Sequence, residues 1–102
     1  MNLDTKTDGN VLTVKVDGDI DVNSVRDLKT ILEDKLTDTP NIVLDCENLN
    51  YIDSTGLGVL VSTLKKVQKY DGNIKIIKLK SYLGKIFEVT GLTKIFDIEV
   101  TE

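Results

Sequence analysis

Tyr51-Ile52-Asp53-Ser54-Thr55-Gly56-Leu57-Gly58-Val59 is where the chain changes its hydrophobic period, and the rest of the fold is read outward from it. Upstream, Asn41-Ile42-Val43-Leu44-Asp45 is a short apolar run, which predicts a central strand buried on both faces. Glu47-Asn48-Leu49-Asn50 reads as a short loop leading into the quoted stretch. Downstream, Leu57, Leu60, Val61, Leu64 and Val67 fall on one face at helical spacing, with Lys65, Lys66 and Lys69 on the polar side. Asp71-Gly72 supplies the stop, and the late lysines suit the negative end of a helix dipole. The stretch therefore predicts a strand delivering its chain directly into a helix start.

The same units repeat on either side. Val11 to Val16 alternate with period two, and Leu3-Asp4-Thr5-Lys6 ahead of Asp8-Gly9-Asn10 predicts a hairpin partner. Val25, Leu28, Ile31, Leu32 and Leu36 predict a first amphipathic helix over Asn23–Leu36, capped by Asn23 or Ser24 and ended by Thr37-Asp38-Thr39-Pro40. Asn73 to Leu79 alternate as a further strand, and Ser81 opens a third helix carrying Leu83, Ile86, Phe87 and Val89, which Gly91 closes. Leu92 to Phe96 make a final turn, with Ile98-Glu99-Val100 a last strand or a tail. The order β-β-α-β-α-β-α with short connections predicts an α/β fold. Its mixed sheet has four to five strands, helices packed mainly on one face, and functional loops at the carboxyl ends of parallel strands.

Composition narrows the function. A chain of 102 residues with 40% hydrophobic content builds one packed core, so a single domain over residues 1–102 is expected. A formal net charge of -4 offers no field for phosphate backbones or anionic lipid, and the few aromatics form no stacking platform. Nucleic acid is thus not an expected partner. No apolar run is long enough to span a bilayer and the first residues carry no secretory signal, so no membrane and a cytoplasmic location are expected. The one cysteine, Cys46, closes no internal disulfide and reads as a half-buried thiol at a strand end. Histidine is absent, which removes the commonest metal ligand and general base. Neither metal nor cofactor is expected.

Asp53-Ser54-Thr55-Gly56-Leu57-Gly58 puts three hydrogen-bonding side chains and two glycines at a helix start. Each glycine inside a helix costs roughly 0.5–1 kcal/mol relative to alanine. Two readings follow: Asp53 or Ser54 caps the helix while the glycines let it pack on the sheet, or the glycines admit another backbone or a partner. No lysine follows as in a P-loop, no Gly-x-Ser-x-Gly elbow is present, and Gly56-Leu57-Gly58 lacks the third glycine of a dinucleotide site. A Ser54-nucleophile hydrolase would lack a histidine base. The chain is read as a non-enzyme.

Tyr51 to Val59 resembles the phosphorylation-site signature of the bacterial anti-sigma-factor antagonists, the single-domain members of the STAS superfamily. Gly18-Asp19-Ile20-Asp21-Val22 is similar to that family's turn after the second strand, and Ile86-Phe87-Glu88-Val89-Thr90-Gly91-Leu92 resembles its third-helix ending, so the likeness covers almost the whole chain. It is closest to the general-stress branch. The resemblance implies a partner switch in which the unmodified protein binds an anti-sigma factor that is also a serine kinase and frees the sigma factor. The kinase ends the signal by phosphorylating the antagonist, and a PP2C-type phosphatase restores it. By alignment to the motif the acceptor is Ser54, with Thr55 second. The resemblance places partner contacts at Asp21, Asn23, Ser24, Asp53, Thr55, Gly56 and Leu57, although capping accounts for Asp21, Asn23 and Ser24 as well. The rival reading within the same fold is an accessory domain of a transporter or lipid-transfer complex.

Overall fold

A computed structural model describes residues 1–34 and 36–101. Its sheet has five strands: β1 (Asn2–Asp8), β2 (Val11–Ile20), β3 (Asn41–Ile52), β4 (Asn73–Lys80) and β5 (Asp97–Thr101). They lie side by side in chain order. β1 runs antiparallel to β2 as the expected hairpin, and β2 through β5 are parallel. Helices α1 (Val25–Glu33), α2 (Ser54–Gln68) and α3 (Ser81–Val89) each bridge two neighbouring parallel strands. When each new strand is added on the same side of the last, crossovers of one hand stack all the helices on one face. The mixed α/β sheet with helices on one face is as the sequence predicts.

That arrangement corrects the reading of β3. Ile42, Leu44 and Cys46 are buried beneath the helices, but Asn41, Val43 and Asp45 are only half-buried on the opposite face. There Val43 lies between Thr13 and Lys75, and Lys15 reaches Glu47 at 3.3 Å. β3 is also longer than expected: Glu47 to Asn50, read as a loop, continue the strand to Ile52. Two register shifts let it do so, one between Lys15 and Asp17 and one between Gly18 and Asp19. β2 likewise extends through Gly18 and Asp19 to Ile20, so the turn begins at Asp21. β4 pairs with β3 only as far as Asp45 and Ile77. Beyond that point side chains join them instead: Lys80 Nζ donates to Asn50 Oδ1 at 3.0 Å, and the Tyr82 hydroxyl donates to the Asn50 carbonyl.

The core gathers Val14, Val16, Ile20, Leu28, Leu32, Leu44, Leu60, Leu64, Ile76, Leu79 and Phe87, all between sheet and helices. α1 ends at Glu33, ahead of the expected Leu36, and a turn over 36–38 still lets Leu36 pack on the core. Lys35, inside that expected helix, lies outside the described residues, as does Glu102. Lys66 on α2 pairs with Glu33 on α1 at 2.6 Å, tying the two helices together. The segment after Gly91 forms a short 3-10 turn, Leu92–Lys94, and then β5, whose Ile98 pairs in register with Ile76.

Cys46 is fully buried and not half-buried, because the extended β3 carries it under the helices. Burial, with a smaller contribution from the Asp45 carboxylate, pushes its thiol from an ordinary 9.0 up to about 12. Because the folded value lies above the unfolded one, the protonated thiol's contribution to stability is fully present below pH 9.0 and is lost as pH rises toward 12. Thermal melts of the wild type should therefore decline above pH 9 more steeply than those of Cys46→Ala.

Candidate functional site

Because β2 and β3 are parallel, both leave the sheet at the same edge, and their exits are adjacent. Ile20 pairs with Ile52, and the Asp53 N–H donates to the Ile20 carbonyl at 3.1 Å. The loops that follow, starting at Asp21 and at Asp53, are therefore held side by side. Parallel sheets present their functional loops at this edge for the same reason.

Asp53 is extended (φ -99, ψ -178) and caps α2: its Oδ1 accepts from the Gly56 N–H at 3.0 Å, and its carbonyl accepts from the Leu57 N–H at 3.0 Å. Ser54 is the first helical residue. Ser54 and Thr55 are both exposed, and neither hydroxyl has a partner among the described residues. The first N–H groups of a helix point outward without intrahelical acceptors, and the dipole concentrates partial positive charge there. An exposed hydroxyl at that spot can accept a negatively charged group without disturbing the helix. Asp53→Ala should lower stability by about 0.5–2 kcal/mol, whereas Asp53→Asn, also a good cap, should lose little; denaturant melts of the two variants check this.

Asp21, and not Asn23 or Ser24, organises the start of α1. Its Oδ1 accepts from the Asn23 and Ser24 N–H groups at 2.9 and 3.2 Å, and its carbonyl accepts from Val25 at 2.9 Å. Ser24 stands at the capping position but makes no side-chain cap bond to α1. Its Oγ instead donates to the Asp19 carbonyl at 2.8 Å and accepts from the Asp21 N–H at 3.0 Å, closing the turn on itself. Asn23 is exposed, and Asp21 and Ser24 are half-buried.

Two residues expected at the contact surface face inward. Gly56 and Leu57 are buried against the sheet. A Cβ on Gly56 would lie 2.5 Å from Ile20 Cγ2 and 2.8 Å from Ile52 Cγ1, so this glycine is required by helix-on-sheet packing. Leu57 belongs to the core and is only 8% exposed. Their outward neighbours are Thr55, Gly58 and Ser62, which share the exposed side of α2.

The structure adds two residues that the sequence reading missed. Val22 is 68% exposed and Tyr51 is 49% exposed, one on each of the two adjoining loops. Their only signal was an apolar residue beside a polar turn. Together with Asp19, Asp21, Asp27 and Asp53, they give the edge around Ser54 an acidic surface with two apolar points. Among the described residues no cluster of His, Cys, Asp and Glu side chains could hold a metal ion, and no helix is long and apolar enough to cross a membrane.

Comparison with known proteins agrees with this geometry. The family described as the STAS domain matches residues 2–102. An anti-sigma-B factor antagonist of Staphylococcus aureus (strain NCTC 8325) is 36% identical over 99 residues, covering 96% of this chain and 92% of the relative. A Thermotoga maritima crystal structure described as a candidate anti-sigma factor antagonist superposes with a TM-score of 0.88 at 21% identity, over 97% of this chain and 86% of that one. The phosphorylated form of the Bacillus cell fate determinant SpoIIAA superposes with a TM-score of 0.79 at 14% identity, over 99% and 92% of the two chains.

Proposed function

The chain belongs to the STAS domain family, and from that premise we propose that it is an anti-sigma-factor antagonist, a binding protein rather than an enzyme, switched by phosphorylation of Ser54. The unmodified protein binds an anti-sigma factor that is also an ATP-dependent serine kinase, and the sigma factor is released. Phosphorylation ends binding, and a PP2C-type phosphatase resets the protein, all within the cytoplasm. Residues 1–102 act as one STAS domain.

The observation that carries this reading is the Ser54 hydroxyl, exposed on the first residue of α2 and flanked by the Asp53 cap and the Asp21 turn. Support comes also from relatives named as anti-sigma-B factor antagonists over nearly the whole chain, and from a structural neighbour solved in phosphorylated form. In this mechanism the kinase transfers the terminal phosphoryl group of its ATP to Ser54 Oγ. The hydroxyl proton is lost and ADP leaves. The new dianion lies close to the outward N–H groups of Ser54 and Thr55, so the product is accommodated by the helix that presents it. Contacts to the partner come from Asp21, Asn23, Ser24, Asp53 and Thr55, with Gly56 and Leu57 shaping the loop from beneath.

The test is to incubate the protein with the ATP-dependent anti-sigma factor of its own organism and map phosphate by mass spectrometry. One phosphate on Ser54, absent from Ser54→Ala, is the expected result. Phosphate on Thr55 alone would move the acceptor by one residue, and no phosphate on either would overturn the mechanism.

A further inference from the structure

We infer that Gly58 is a contact position of the interface just proposed: the anti-sigma partner seats its own chain against the bare turn of α2 that Gly58 leaves, one helical turn beyond Ser54. This rests on the reading of Ser54 given above and deepens it. The two glycines of α2 differ in what the fold asks of them. Gly56 is enforced from within, since a Cβ there would collide with Ile20 and Ile52. At Gly58 an added Cβ meets nothing within 4 Å, and its φ is an ordinary helical one, not left-handed. Neither packing nor backbone geometry calls for glycine at this exposed position, and glycine in a helix is less stable there than alanine. What excludes a side chain therefore lies outside the chain.

Its position says which partner. Ser54 and Gly58 are four residues apart, hence on the same face of α2, and both are exposed. A kinase that brings its phosphoryl donor to Ser54 must cover the adjoining turn, and at Gly58 it can approach to backbone distance. A methyl group there holds the two surfaces apart.

The experiment measures binding of wild type, Gly58→Ala, Gly58→Leu and Ser54→Asp to the ADP-loaded anti-sigma factor of the same organism by titration calorimetry, alongside thermal melts. Gly58→Ala should melt about 2–6 °C higher than wild type yet bind roughly tenfold or more weakly. Gly58→Leu should lose binding further while remaining folded. If wild type binds, Ser54→Asp does not, and both Gly58 variants bind as wild type does, the Gly58 inference is wrong and the Ser54 reading stands. If wild type does not bind at all, both fall.

Discussion

Ser54→Asp is expected to lower affinity for the anti-sigma factor on the order of a hundredfold or more while leaving the thermal melt within about 2 °C of wild type. The two halves of that result have separate causes. Within the protein, an acidic side chain on the first turn of α2 meets outward N–H groups and the positive end of the helix dipole, a gain of roughly 0.3–1 kcal/mol. The site is exposed, so no desolvation opposes it. At the interface the same charge is buried beside an edge that already carries Asp19, Asp21 and Asp53. Two unit charges about 5 Å apart repel by roughly 3 kcal/mol at an effective dielectric of 20. Natural phosphoserine, with about -1.5 to -2 charges, should act more strongly. Calorimetric titration paired with a melt decides the matter: tight binding by Ser54→Asp would refute electrostatic switching, and a melt many degrees lower would show that the hydroxyl serves the fold.

Phe87→Ala should produce the converse, a large loss of stability from a residue remote from the partner edge. Phe87 is 1% exposed, the bulkiest of the fully buried side chains, and its ring stands edge-on to Phe96 with centroids 6.1 Å apart. Removing it empties the space that joins α3 to the segment after Gly91, where Phe96 would lose its ring partner. Truncations of this kind cost about 3–5 kcal/mol, a large part of the roughly 5–15 kcal/mol that holds a small domain folded. The melt should fall by at least about 12 °C. A fall of only one or two degrees would mean that α3 is less firmly seated than its burial indicates.

How far the sequence could be read depended on whether a residue's role was set locally. Helix α2, the Asp53 cap and the hairpin were legible because period, capping chemistry and turn residues all act within a few positions. The course of Glu47 to Asn50 was not, since their strand geometry comes from register shifts against β2 that leave no local pattern. Asn41, Val43 and Asp45 looked like interior residues because an apolar run does not say that every crossover will fall on one face. At the site, Ser54 and Asp53 were found where the motif put them. Gly56 and Gly58, indistinguishable in sequence, proved to have opposite surroundings, and only the positions of Ile20 and Ile52 separate them. Val22 and Tyr51 were overlooked because exposure is a property of the assembled edge.

The strand order, which simply follows the chain, has a kinetic consequence. Every parallel pair is closed by one crossover, so the sheet can grow outward from the β1–β2 hairpin by accretion, without a late strand having to insert between two already placed. The last piece to arrive is β5, short and largely solvent-facing. Until it docks, the backbone edge of β4 beside Ile76 and Leu79 stands open to any other extended chain. A ribosome-bound or C-terminally trimmed molecule would thus be the sticky one, its vulnerable side lying two strands away from β2 and clear of the loops that carry Asp21 and Ser54.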